Sequence, residues 1–186
     1  MSIRMMPSIR RSLLALALLT LTLAFAHHAL AQSSKPAPLT IKLVTHDGLD
    51  AGSVTFTQKK KGVSVHIRAQ NLPVGDHAVH IHAAPHCDPP DFKSAGGHFN
   101  PTHMEHGFMN PHGHHAGDMP ANLTVGPDHT GDASFLVTSI TLQPAADNSL
   151  FLNGGTSIVI HEHGDDQMTD PSGNSGNRIA CGVITR

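Results

Sequence analysis

The sequence predicts an all-β fold, an eight-stranded Greek-key flattened barrel or sandwich with long metal-binding and disulfide loops. Three observations predict it. Short runs rich in β-branched residues alternate apolar with polar, as in a strand with one buried and one wet face. Turn residues such as Asp47-Gly48, Gly52 and Gly62 punctuate those runs. No helical period of useful length appears beyond the N-terminal segment.

That segment reads as a targeting sequence. Arg4, Arg10 and Arg11 make a basic start, Leu13 to Phe25 is an apolar run, and Ala29-Leu30-Ala31 supplies the small residues that a signal peptidase reads. Residues 1–31 are expected to be a cleaved signal peptide, the apolar run being short for a membrane span. No cysteine follows it, so lipid attachment is not expected. Residues 32–38 form a polar, Pro-containing arm expected to be flexible, and residues 39–186 the domain.

Twelve Lys and Arg stand against 14 acids, and the leader takes away three of the bases and none of the acids, leaving a formal charge near −5 with neutral histidines. Such a chain is a poor partner for nucleic acid or an anionic membrane surface. It has no Trp or Tyr on which bases could stack.

Within the domain, Leu39–Thr45, Ser53–Gln58 and Val63–Ala69 read as a three-stranded meander, and His77–Ala83 as a fourth strand. From Ala84 to Asn122 almost no periodic pattern remains. A loop that long is uncommon in a compact domain unless it carries function. Leu123–Gly126, Ala133–Ser139 and Thr156–His161 read as further strands. A polar loop, Asp165–Asn177, leads to a closing strand, Arg178–Thr185.

Ten histidines lie between His77 and Asp118. His80 and His82 stand two apart in an apolar run, so on a strand their rings share one face. His98, His106, His115 and Asp118 follow on a Gly/Pro-rich segment able to wrap an ion, and His161 ends another apolar run. This is more ligands than one ion needs. Zinc takes four tetrahedral nitrogen, sulfur or carboxylate ligands, whereas copper accepts imidazoles in a flattened arrangement. Cys87 and Cys181, an even count in an exported chain, suggest one disulfide; soft metal ligation is the competing reading. Met104, Met109 and Met119 are expected to pack under the loop.

The ordered set is far more specific than any one pair. It runs H-x-H, Cys, GGHFNP, H-G eight residues on, H-A-G-D, then VIHEHGDD and GNRIACGV. It resembles the copper–zinc superoxide dismutase family in its bacterial exported form, over about residues 39–186. The resemblance implies one copper ion held by His80, His82, His98 and His161 and one zinc ion held by His98, His106, His115 and Asp118, with the His98 ring shared. It implies that Asp165 links a copper-ligand histidine to a zinc-ligand histidine, and that Cys87 and Cys181 form the intrasubunit disulfide. It makes Arg178 the arginine beside the copper channel and His98 the residue that passes a proton to the nascent peroxide.

The implied reaction disproportionates superoxide to dioxygen and hydrogen peroxide by Cu(II)/Cu(I) cycling, in the periplasm or outside the cell, with no membrane attachment after cleavage. The alternative is a non-enzymatic periplasmic copper or zinc binder on the same fold. The family's assemblies differ between branches, so a homodimer is one expected form. Lys93, in the insertion DPPDFKS, is a candidate steering charge, and Ser172 a candidate for the channel mouth. His86, His103, His112 and His114 are extra loop histidines, read as exposed or as metal-capturing. His46, His66, His77, His129 and His163 are expected at the surface.

Overall fold

The structure, a computed structural model, describes residues 36–186; the expected signal peptide and residues 32–35 of the arm lie outside the described residues. Nine strands follow in order: β1 Leu39–Thr45, β2 Asp50–Lys59, β3 Gly62–Ala69, β4 Gly75–His77, β5 Val79–His82, β6 Leu123–Val125, β7 Gly131–Val137, β8 Thr156–His161 and β9 Arg178–Ile184. Seven form a curled antiparallel sheet in the order β5-β8-β9-β1-β2-β3-β7, and β4 pairs with β6 in a small second sheet. Alternation explains the curl. Leu43, Val54, Phe56, Val65, Ile67, Ile81, Ile158 and Ile160 all point into one core and are fully buried. Each such side chain contributes roughly 1.5–3 kcal/mol relative to exposure.

β2 begins three residues before the expected Ser53 and other ends move by one or two residues, and two further differences from the sequence reading have a physical reason. The expected fourth strand is two, so the count is nine rather than eight. At Ala78 the chain changes partners: its N–H donates to His163 O at 2.8 Å and its carbonyl accepts from His161 N at 2.9 Å. Residues before it pair with β6 and those after it with β8. The expected run Ala133–Ser139 lies instead at Gly131–Val137. Val137 pairs with Val63, the second residue of β3, so only Gly62 remains beside Thr138 and no β3 residue is left for Ser139.

Strand β5 sits at the edge of the seven-stranded sheet, and this places the long loop. An edge strand presents unpaired backbone groups that something must cover. Here the loop does so: Ile81 N donates to Gly117 O and Phe99 N to Ile81 O, both at 2.8 Å, and Gly117 N donates to Phe99 O at 2.9 Å. Gly117 is required for this approach, because a Cβ there would lie 2.4 Å from Ile81 O. The loop residues that clothe the edge are the direct neighbours of His98, Ala116 and Asp118.

On the far side of β8 and β9, Phe92, Ala95, Val159 and Cys181 form a second small core with Cys87 against it. The Cys87–Cys181 disulfide is present. It ties the loop after β5 to β9 across 94 residues, a closure that the chain-entropy model values at roughly 4–5 kcal/mol.

Candidate metal centre

Parity on β5 decides what faces where. Val79 and Ile81 point into the main core, while His80 and His82 point to the opposite face, beneath the long loop. His161 ends β8, the strand paired to β5. The loop returns His98 beside His82 and Asp118 beside His80 as isolated bridges. His80, His82, His106, His115, Asp118, His161 and Asp165 are all buried.

The nitrogens converge in two groups. One ligand atom each from His80, His82, His98 and His161 lie within 4.8 Å of one another, and so do atoms from His80, His98, His106 and Asp118. His115 joins the second group. Its Nδ1 is 3.1 Å from His98 Nδ1 and 3.3 Å from Asp118 Oδ1. His98 Nδ1 stands 3.0 Å from Asp118 Oδ1, and His106 Nδ1 3.1 Å from Asp118 Oδ2. In the first group His82 Nε2 lies 3.3 Å from His161 Nε2. A tetrahedron with metal–nitrogen distances near 2.0 Å has edges of roughly 3.3 Å. The spacings are those of ligands around a common centre.

Hydrogen bonding assigns the ring protons in the same sense. His80 Nε2–H donates to Asp165 Oδ2 at 2.8 Å, and His106 Nε2–H to Asp165 Oδ1 at 3.0 Å. His82 Nδ1–H donates to Gly96 O at 2.9 Å, and His161 Nδ1–H faces Ser175 Oγ at 3.2 Å and Gly176 O at 3.4 Å. The His80, His82 and His161 rings thus keep a proton on the outward nitrogen and turn a lone pair inward, while His106 Nδ1 is turned to Asp118. His80 Nδ1 and His98 Nε2 are buried with no hydrogen-bond partner, and His106 Nδ1 faces only Asp118 Oδ2. Orphaned buried nitrogens are costly and rare, and two of them within converging groups of ligand atoms fit bound cations. His80 and His98 each have a ligand atom in both groups, and His98 turns Nδ1 to Asp118 and His115 while its Nε2 has no partner.

The two groups differ electrostatically. Burial pushes the His80 ring below its usual value, and burial followed by electrostatic coupling to the neighbouring rings His98 and His161 pushes His82 well below it. Burial, then His80 and His98, does the same to His161, and burial, then His80, takes His98 down to about 3. These four rings are held neutral. Burial also opposes charge on His106, but hydrogen bonds and charge from Asp118 and Asp165 outweigh it and push that ring up to about 9. For Asp118 burial again opposes ionisation, yet His106, His115 and His98 hold it far below the usual carboxylate range. Asp165 is likewise held low, by His106 and His80 against burial.

Above the first group lies a cavity of about 370 Å³ lined by His82, His98, His161, Ser172 and Arg178 among others. The Arg178 guanidinium donates to Phe92 O and Gly96 O, both at 2.6 Å. Arg178 also lines an outer cleft with Asp91, Lys93 and Glu162. Lys93 is 82% exposed there, but its Nζ is 2.8 Å from Asp91 Oδ2, which offsets its charge.

His77 corrects the sequence reading. It is buried, not at the surface, with Nδ1 2.8 Å from His161 O and Nε2 2.8 Å from Pro73 O, so it braces the backbone of His161. The signal was available: His77 has the parity of Val79 and Ile81, not of His80 and His82. His46, His129 and His163 are exposed and His66 half-buried. Of the loop methionines only Met119 packs in the core, while Met104 and Met109 are exposed, because Asp118 and its neighbours turn inward and residues 102–105 and 108–109, on either side of the buried His106 and Gly107, face solvent. His86, His103 and His112 are exposed, His112 pairing with Glu105 at 3.0 Å. His114 stacks on Phe108 with ring centroids 3.9 Å apart.

The family described as copper/zinc superoxide dismutase (SODC) matches residues 50–184. "Superoxide dismutase [Cu-Zn] 1" of Aquifex aeolicus is 46% identical over 145 residues, covering 76% of this chain and 84% of that protein. "Superoxide dismutase [Cu-Zn]" of Caulobacter vibrioides is 39% identical over 140 residues, covering 74% and 80%. The crystal structure of a SOD-like protein from Bacillus subtilis superposes with a TM-score of 0.74 at 41% identity, covering 78% of this chain and 97% of that one. The chain belongs to the copper/zinc superoxide dismutase family.

Proposed function

We propose that this chain is the enzyme its family name states, a copper–zinc superoxide dismutase that converts two superoxide anions to dioxygen and hydrogen peroxide. The observation that carries the reading is the pair of converging ligand groups sharing the His98 ring, with inward lone pairs that nothing in the protein satisfies. We assign copper to His80, His82, His98 and His161, and zinc to His98, His106, His115 and Asp118. When bound, copper supplies the one-electron redox couple, and zinc supplies the fixed charge that lets the shared ring lose both its protons.

The residues do the rest. Asp165 accepts from His80 and His106 at once, so one carboxylate orients a ring of each group. Arg178, pinned by two carbonyls at the cavity wall, attracts and orients a small anion beside His82 and His161. His98 Nε2 faces that cavity group with no other partner, so a proton held there can pass to the peroxide product.

The disulfide and the bacterial relatives mark the protein as exported. We assign residues 1–31 as the cleaved leader, residues 32–38 as an arm, residues 39–186 as the enzyme, and the periplasm as its compartment. Among the described residues no helix is long and apolar enough to cross a membrane.

The test is His161→Ala. Superoxide consumption should fall by at least about a hundredfold while zinc content stays near that of the parent. Retained activity would sink the copper assignment.

A further inference from the structure

We infer that Phe92 is a positioning residue for Arg178, its buried ring acting as the anchor that presents a backbone carbonyl to the guanidinium. The inference rests on the reading of Arg178 as the anion-orienting group. Phe92 lies at the end of the DPPD insertion and has φ 51°, a left-handed backbone that a bulky L-residue seldom adopts. Something outside the local backbone must therefore hold it.

The ring does. It is 0% exposed and packs with Ala95, Val159 and Cys181, against Cys87. With the ring seated, Phe92 O accepts from Arg178 Nη1 at 2.6 Å and from Ala95 N at 3.1 Å. The tight turn over Lys93–Ala95 then delivers Gly96 O, which accepts both from Arg178 Nη2 at 2.6 Å and from His82 Nδ1 at 2.9 Å. The segment 92–96 thus fixes the guanidinium and a copper-side ring in one frame. Its main inner attachment is the Phe92 ring, since Lys93 beside it is exposed, Ser94 only half-buried, and the buried Ala95 adds only a methyl group to the same core. The disulfide holds the start of the same loop, at Cys87. Phe92 touches neither the cavity nor any ligand atom, so its effect on a substrate anion passes through Arg178.

The experiment compares Phe92→Ala, Phe92→Leu and Arg178→Gln with the parent, all loaded with copper and zinc. Four quantities are read: metal content, the rate constant for superoxide, the affinity for azide as a small anion by optical titration, and the rate of phenylglyoxal labelling at Arg178 in the metal-free chains. Phe92→Ala should keep both metals, lose about tenfold in rate constant and in azide affinity, the low end of what a local positive field contributes, and label faster at Arg178. Phe92→Leu, which refills part of the pocket, should fall between. A Phe92→Ala protein with rate constant, azide affinity and labelling within twofold of the parent would overturn the inference. So would loss of metal in proportion to loss of rate, which would make the ring merely structural. Should Phe92→Ala not fold, Phe92→Leu decides: a shift of twofold or more in azide affinity and labelling supports the anchor, and parent values overturn it. Arg178→Gln separates the two claims. If it lowers rate and azide affinity while Phe92→Ala lowers neither, the anchor alone fails; if it lowers neither, the reading of Arg178 fails with it.

Discussion

The copper half and the zinc half of the centre are built by opposite means. Three of the rings we assign to copper come from strands: His80 and His82 from β5 and His161 from the end of β8, paired directly to it. Their lone pairs are aimed by sheet geometry, and burial keeps the rings neutral. The zinc-side groups come from a loop with almost no regular structure, and a buried acid orders it. Asp118 Oδ2 accepts from Gly107 N at 3.1 Å and His115 N at 2.9 Å while its oxygens face His98, His106 and His115. A sheet can position ligands before any ion arrives, whereas a loop needs charge to hold it. His98 and Asp165 are the two residues that belong to both designs.

Removing a ligand from each half should expose the difference. Asp118→Ala leaves buried N–H groups and rings without their acceptor, a loss of about 3–5 kcal/mol. We expect it to abolish zinc binding, melt the loop by amide exchange and take superoxide activity with it. His161→Ala should instead leave the loop ordered. Equal loop protection in the two variants would break the comparison.

Asp165→Asn tests the shared carboxylate. An amide can still accept, but it cannot take charged hydrogen bonds from both His80 and His106. Metal affinity should fall roughly 10–100-fold, at both sites rather than one. Competitive chelation that finds only one site weakened would show that the halves are coupled through His98 alone.

Acid and base should act on the halves with opposite sign. In the metal-free chain the copper-side rings are depressed, so their contribution to stability is complete above the unfolded value near 6.5. It is lost as pH falls toward the folded values, about 3 for His98. His106 is raised to about 9, so its contribution is complete below 6.5 and is lost as pH rises through about 9. Zinc must displace that proton, so zinc uptake near neutral pH should release about one proton from His106, and none from it above pH 9. Calorimetry in buffers of different ionisation enthalpy counts the protons. Release that is unchanged from pH 7 to pH 10 would contradict the charge-held loop.

The smallest effect belongs to Lys93. Its charge sits beside the outer cleft but is offset by Asp91, and exposed pairs of this kind matter little. Lys93→Gln should lower the rate constant by less than about twofold at low salt and not at all at high salt. A larger, salt-sensitive fall would give Lys93 the steering role and would show Asp91 to be a weak counterweight.

The same division governs what could be read from the sequence. Alternation revealed the strands, and with them the shared face of His80 and His82 and the position of His161 at a strand end, because period-two patterning is set by burial. The break at Ala78 was not legible, since it depends on which backbone reaches that residue from His161 and His163. Nor was the left-handed Phe92, whose conformation depends on a pocket built by Val159 and Cys181 far along the chain. The loop residues we assign to zinc come from the resemblance of ordered motifs, not from any local period. His77 was misread although its parity pointed to the core.

The central claim is that one chain holds one copper and one zinc in groups joined by His98. The most direct test is elemental analysis of the purified protein run beside a superoxide-consumption assay on the same sample. About one copper and one zinc per chain with fast turnover is the predicted result. Zinc alone, with activity that added copper does not restore, would contradict it and leave a metal-binding protein on this fold.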